Sequence, residues 1–262
     1  MIYGLYTSAG GAKIEVSRVD AIANNLANSA TPGFRRDLLS IRERAPEAIE
    51  DRVSARHLDP LLDRLGGGPL VHHGAWDQVP GAMEDTRRTF DLAIEGDGFF
   101  AVRPVEGGAT FYTRAGNFTR RADGQIVTAD GRYAAIGDGG NPVAIPRELS
   151  DDQVLVGPAG TFTTPEGAEI GALQVVRFAD AGRLEKQGDT LFRAPADARP
   201  LPLDPATAQV RQGFLERSTT DSVGEMVGMI SAMRAYESNM QMIRLQDGTL
   251  DRVVNDVGRV RT

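Results

Sequence analysis

The 262-residue sequence predicts an α+β fold in which long N- and C-terminal helices, a coiled-coil pair, flank a mainly antiparallel β domain. Three observations predict it. Ile2, Leu5, Ala9, Ala12, Val16, Val19, Ala23 and Leu26 alternate in steps of three and four, an apolar heptad seam of the kind that packs against partner helices. Met226, Met229, Met233, Tyr236, Met240, Ile243, Leu250, Val254 and Val257 repeat the pattern near the other end, interrupted by Asp247. Between the seams, short apolar runs alternate with Asp-Gly turns, which is the texture of hairpins and not of βαβ units.

Residues 1–34 form the N-terminal arm. Gly4, Gly10 and Gly11 weaken its helix by about 1 kcal/mol each relative to Ala, so a break is expected, if anywhere, at the glycine pair. The helix should stop near Asn28, because Ser29, Thr31, Pro32 and Gly33 resist continuation, and Phe34 then re-enters an apolar environment. Asn24, Asn25 and Asn28 suit such a corner, since their side chains bond open backbone groups at a helix end, and Gly33 permits close approach or a positive φ.

Residues 35–70 read as a connector with short strand or helix pieces, broken by Pro46, Pro60 and Pro69 and by three glycines. Residues 71–215 are β-rich. Runs such as DLAIEG, GFFAV, FYTRA, QIVTA, RYAAI, PVAIP, QVLVG, LQVVRF and DTLFRA are separated by Asp97-Gly98, Asp123-Gly124, Asp130-Gly131 and Asp138-Gly139-Gly140, which supply the positive φ angles of tight hairpins. The C-terminal arm, 216–262, begins with capping candidates Ser218, Thr219, Thr220 and Asp221 before a helix over about 222–258, and is expected to pack with residues 1–34.

Composition narrows function. The net charge of −7 comes without a basic patch and argues against a nucleic-acid surface. Residues 1–34 carry Lys13 and Arg18 against Glu15 and Asp20, and residues 216–262 carry six arginines against seven acids, so the acidity lies between the arms. Near-neutral arms with both signs suit helix-to-helix association. No apolar run approaches the ~20 residues that cross a bilayer. The absence of cysteine excludes disulfides, thiol catalysis and cysteine metal sites. Lys13 and Glu15 interrupt any secretory signal pattern at the start, so a cleaved signal is not expected.

Chemistry is sparse. His57, His72 and His73 lack the further ligands of a zinc site, GGAKIEV lacks P-loop spacing, and no G-x-S-x-G occurs. The acidic residues beside glycines fit turns and do not supply an EF-hand ligand set. No catalytic residue, cofactor or metal is therefore expected. Five of the seven methionines lie between 226 and 242, and flexible thioethers suit surfaces that fit several neighbours, as well as ordinary helix cores. The candidate assembly interface is Ala12, Val16, Val19, Ala23, Asn24, Asn25, Leu26, Asn28, Gly33 and Phe34, with Met226, Met229, Met233, Tyr236, Met240 and Ile243. The alternative, a ligand-binding or enzymatic β domain with helical oligomerisation arms, requires a deep polar pocket within 71–215.

Three blocks together resemble the flagellar axial family of rod and hook proteins: DAIANNLANSATPGFRRD at 20–37, FDLAIEGDGFFAV at 90–102 continued by YTRAGNFTRRADGQIVTADGRYA at 112–134, and VRQGFLERSTTDSVGEMVGMISAMRAYESNMQMI at 210–243. They stand in the family's order. The short single β-rich insertion is similar to a basal-body rod protein and not to the longer hook protein, and RLEKQGDTLFRAP is most similar to the proximal rod type, with the distal type next. The resemblance implies a subunit of the basal-body rod that transmits torque from motor to hook and partners copies of itself, other proximal and distal rod proteins and the flagellar type III export apparatus. It also implies export without signal cleavage, terminal helices at the core of the tube, and no cofactor.

Overall fold

The computed structural model describes residues 2–43, 69–188, 190–203 and 207–257. The remainder of the expected connector, with Pro46, His57 and Pro60, lies outside the described residues. Two long helices stand near the ends, α1 (Ile2–Ala27) and α2 (Ser222–Val257). Between them come β1 (Asp37–Glu43), β2 (Pro69–Trp76), β3 (Met83–Asp85), β4 (Leu92–Glu95), β5 (Phe99–Pro104), β6 (Phe111–Thr113), β7 (Phe118–Arg120), β8 (Ile126–Thr128) and β9 (Tyr133–Ala135). They are followed by β10 (Leu155–Val156), β11 (Thr161–Thr163), β12 (Glu169–Ala172), β13 (Val175–Arg177), β14 (Glu185–Lys186), β15 (Leu191–Arg193), β16 (Leu201–Pro202), β17 (Gln209–Gln212) and β18 (Phe214–Glu216). This is an α+β protein with antiparallel pairing throughout its β unit.

The chain divides into a helical unit, Met1–Leu26 with Asp37–Ala75 and Asp221–Thr262, and a β unit, Ala27–Arg36 with Trp76–Thr220. In the helical unit, α1 runs unbroken through Gly10 and Gly11. The expected weak spot is instead a contact: a Cβ on Gly11 would meet Asn239 Oδ1 at 3.0 Å, so the missing side chain lets α2 approach. Asp221 caps α2, its Oδ1 accepting from Val223 N at 3.1 Å, and Glu225 in the first turn complements the helix dipole. β1 and β2 pair as a two-stranded sheet.

In the β unit the main sheet runs β14-β15-β6-β5-β9-β8-β7, with β13 pairing both β5 and β16. The hairpins β7–β8 and β8–β9 turn at Gly124 (φ 92°) and Gly131 (φ 70°), where Asp-Gly spacing placed them. The segment Glu95-Gly96-Asp97-Gly98 behaves differently. Its left-handed residue is Gly96 (φ 101°), and no hairpin forms, because β4 pairs with β17 while β5 pairs with β6, β9 and β13. The run PVAIP makes isolated bridges at Pro142 and Ala144 and no strand, since prolines at both ends remove ladder donors.

Residues 209–216, on the way back to α2, form two further strands. Val210 lies opposite Ile94 and Leu215 opposite Glu84, so the end of the β unit pairs with its beginning. Gly213 (φ 78°) separates the two strands and hides their alternation from a sequence reading. The core is rich in aromatic and branched apolar residues: Phe100 and Phe118 meet edge to face at 5.3 Å, alongside Leu92, Ile126 and Phe162. On the other face of the sheet Trp76 stacks on Phe192 at 4.8 Å and donates Nε1–H to Leu184 O at 3.2 Å. Each fully buried aromatic contributes roughly 2–3 kcal/mol from burial alone.

Candidate assembly surface and chain corner

Four contacts define how α1 meets α2. A Cβ on Gly4 would lie 2.9 Å from Gln246 Nε2 and one on Gly11 3.0 Å from Asn239, one on Gly228 would lie 3.4 Å from Ile22 Cδ1, and Asn25 Nδ2 stands 3.5 Å from Glu225 Oε1. As the numbers rise along α1 they fall along α2, so the two helices lie antiparallel. Their contact line is made of glycines and polar side chains, Gly4, Gly11 and Asn25 against Gln246, Asn239 and Glu225. Buried Ala12, Ile14 and Ile22 on α1 and Ala232 on α2 supply the apolar part of this unit.

The heptad seam read from the sequence is therefore offset from this line by one position, about 100° around a helix of 3.6 residues per turn. Ala12 is buried, and Leu5, Val19 and Leu26 are half-buried, whereas Ala9, Val16 and Ala23 face outward, Val16 at 45% exposure. On α2, Met229, Met240 and Ile243 are half-buried, while Met226, Met233 (48%) and Tyr236 are exposed, in company with Val223, Val227, Ile230 and Leu245. Glycine decides the offset: the closest approach falls where a side chain is missing, not where the apolar residues are largest.

The asparagines work at a different place from the one expected. Asn25, buried, grips the peptide of Asp37 from both sides: its Nδ2 donates to Asp37 O at 3.1 Å and its Oδ1 accepts from Asp37 N at 2.8 Å. Asn24 Nδ2 donates to the Asp37 carboxylate at 2.6 Å. They thus hold the start of β1 and do not close the end of α1. Asn28 makes the turn itself, its carbonyl accepting from Thr31 N and its Oδ1 from Thr31 Oγ1, both at 3.1 Å.

Gly33 and Phe34 lie in the β unit. At φ 69°, Gly33 rests on the backbone of Ala115, where a Cβ would stand 2.3 Å from the amide nitrogen. Its N–H donates to Glu216 O at 2.8 Å. Phe34 is fully buried, with Lys186 Nζ 3.8 Å from its ring centroid and the same ammonium donating to Arg35 O at 2.8 Å.

Beside this corner lies a cluster that the sequence did not reveal. Glu216, 2% exposed, binds Arg35 Nη2 at 2.8 Å through Oε1 and Arg114 Nη1 at 3.3 Å through Oε2, and also accepts from Gly81 N at 2.7 Å. Arg114 reaches Ile94 O at 3.1 Å and Gly96 O at 2.7 Å, and Arg35 donates to Val79 O. Burial pushes the Arg114 guanidinium down to about 10, with Glu216 opposing the shift and Arg35 adding to it; burial likewise lowers Arg35, against the pull of Glu216, Asp77 and Asp97. Arg114 remains a cation at neutral pH. No local pattern marks these residues, because the partners are far apart in sequence and each sits in an ordinary short strand or turn.

One cleft of the β unit, about 430 Å³ and open to solvent, is lined by Thr31, Pro32, Asp130, Arg132, Tyr133 and neighbouring hairpin residues. Its Thr128 hydroxyl donates to the Asp130 carboxylate within the hairpin turn. Among the described residues no group of three or more His, Asp or Glu is placed to hold a metal; His72 and His73 fall in β2.

Comparison with known proteins bears on what such a pair of units is for. Residues 5–35 match the family described as "Flagella basal body rod protein", 93–164 "Flagellar hook protein FlgE/F/G D1 domain" and 211–256 "Flagellar basal body rod FlgEFG protein C-terminal". The flagellar basal-body rod protein FlgG of Bacillus subtilis is 33% identical over 97% of this chain and 99% of its own length. The chain belongs to the flagellar basal-body rod proteins. FlgF of Caulobacter vibrioides is 35% identical over 86% of the chain and 85% of its own length, and FlgF of Salmonella typhimurium 30% identical over 94% and 95%. Relatives of both types make this a rod protein of the FlgF or FlgG kind. It is a structural subunit of the flagellar basal body and not an enzyme, and other rod components are its partners. The three matched regions coincide with α1 and its corner, the first half of the β unit, and β17 through α2. No helix among the described residues is long and apolar enough to cross a membrane.

Proposed function

We propose that this rod protein polymerises through its two terminal arms, residues 1–34 and 216–262, whose helices form a coiled-coil pair, into the helical shaft that carries torque from motor to hook. The observation that carries the reading is the outward row of apolar side chains on the helical unit. Val16 on α1 and Met226, Val227, Ile230 and Met233 on α2 remain exposed after the two helices have met. A contiguous exposed apolar surface of this kind marks an interface, and one heterologous contact repeated along a rotation that does not close yields a helical filament. Copies of this chain and the neighbouring rod proteins cover the row. The subunit leaves the cell interior through the flagellar type III export apparatus without signal cleavage and takes its place in the rod across the periplasm.

Cells carrying Val16→Asp or Met233→Asp test it. The expected result is secreted, folded subunit that fails to appear in purified basal bodies. Normal rods in both strains overturn the assignment of the interface, and absence of the unaltered chain from purified basal bodies overturns the rod reading itself.

A further inference from the structure

The chain passes between its helical and β units four times, at residues 26/27, 36/37, 75/76 and 220/221. Any torque conducted along the polypeptide from one unit to the other goes through these crossings. Within the β unit, the three segments that carry them are fastened to one another. Gly33 N donates to Glu216 O at 2.8 Å, Thr219 N to Phe34 O at 3.1 Å, Arg36 N to Thr219 Oγ1 at 2.9 Å, and Asp77 N to Arg36 O at 2.8 Å. Arg35 adds its bond to Val79 O, and Gly81 N its bond to Glu216 Oε1. Within the helical unit, three of the same crossings are fastened again, by Asn25 holding the Asp37 peptide and standing beside Glu225.

Glu216, itself on the approach to α2, joins all three β-unit segments: its carbonyl accepts from Gly33 N, and its carboxylate binds Arg35 and accepts from Gly81 N, while Arg35 reaches from the 27–36 segment to both Glu216 and Val79 O. Stability alone does not ask for such a residue. Two buried guanidiniums against one buried carboxylate carry a desolvation penalty, and apolar residues of the same volume serve as well or better in a core. A charged fork differs from an apolar contact in being directional, so it resists rotation of one segment about another.

We propose that the Arg35–Glu216–Arg114 cluster is a torsion joint, with Glu216 as the positioning residue that makes the crossing segments of the β unit one block. Torque arriving at any crossing is then shared by all of them. This mechanical role rests on the rod reading above, whereas the block itself is a property of the isolated chain and is tested there.

The test is amide hydrogen exchange on the purified full-length protein. Glu216→Gln keeps the shape and removes the charge; exchange at Gly33, Gly81 and Thr219 is expected to rise roughly tenfold or more, while Ala101 and Ile136 in the central sheet change less than about twofold. Glu216→Asp, which restores the carboxylate, should move the three clamp amides back towards wild type. If Glu216→Gln does not fold, Arg114→Lys is read at the same five amides. A rise shared equally by all five, or none at Gly33 and Thr219, overturns the joint. The rod reading is untouched by either outcome, since it stands on localisation to basal bodies.

Discussion

The helical unit and the β unit bury their residues by opposite rules. In the β unit, Phe100, Phe118, Phe162 and Phe192 are all but inaccessible, and the sheet's two faces each close over an aromatic cluster. In the helical unit glycines, amides and a carboxylate stand along the interhelical line with a few buried apolar residues such as Ile14 and Ile22, while Val16, Met226, Val227, Ile230 and Met233 stay outside. A buried polar line in a helix pair specifies register at a cost in stability, while an outer apolar row contributes only when another molecule covers it. The β unit is finished as a monomer. On the proposed reading, the helical unit is finished by assembly.

The sharpest way to break that contrast is to damage the finished half. Phe118→Ala should lower the stability of the β unit by about 3–5 kcal/mol, read by urea unfolding, since it empties the edge-to-face pair with Phe100. A loss under about 1 kcal/mol would mean that the core closes over the gap and is less specific than its packing implies. Gly33→Ala comes next, at about 2 kcal/mol or more, because it combines a left-handed φ of 69° with a backbone only 2.3 Å from the new Cβ. Equal stability of this variant would show that the corner shifts freely against Ala115.

On the unfinished half the effects shrink. Asp221→Ala should cost about 1 kcal/mol of helix stability through the lost cap on Val223 N, visible as faster exchange in the first turn of α2 and nowhere else. Met233→Asp should leave monomer stability within about 0.5 kcal/mol of wild type, since the side chain is half in solvent already, and yet remove assembly. A large destabilisation of the monomer by this variant would mean that the exposed row is part of a monomer core, and the contrast between the units would fail.

Much of this was legible before any coordinates. The span of each helix, the stop after Ala27, the Asp221 cap and the hairpin glycines at 124 and 131 all follow from local chemistry: helix propensity, capping oxygens and positive φ act within a few residues, and those residues are adjacent in the chain. The heptad seam was equally visible, and it told truly which residues are apolar.

It did not tell which way they face. Heptad spacing marks a stripe; the partner's approach chooses the line along it, and that choice fell to Gly4, Gly11 and Gly228, whose missing side chains admit Gln246, Asn239 and Ile22. Asn25 looked like the end of a helix and became the anchor of a strand. Glu216, read only as the first residue of the C-terminal arm, became the centre of a buried cluster, because its partners Arg35 and Arg114 arrive from chain segments 181 and 102 residues away. Local order is a matter of neighbours along the chain and so is written in the sequence. Facing, register and buried charge are settled by neighbours in space, which exist only once β17 and β18 have folded back onto β4 and β3.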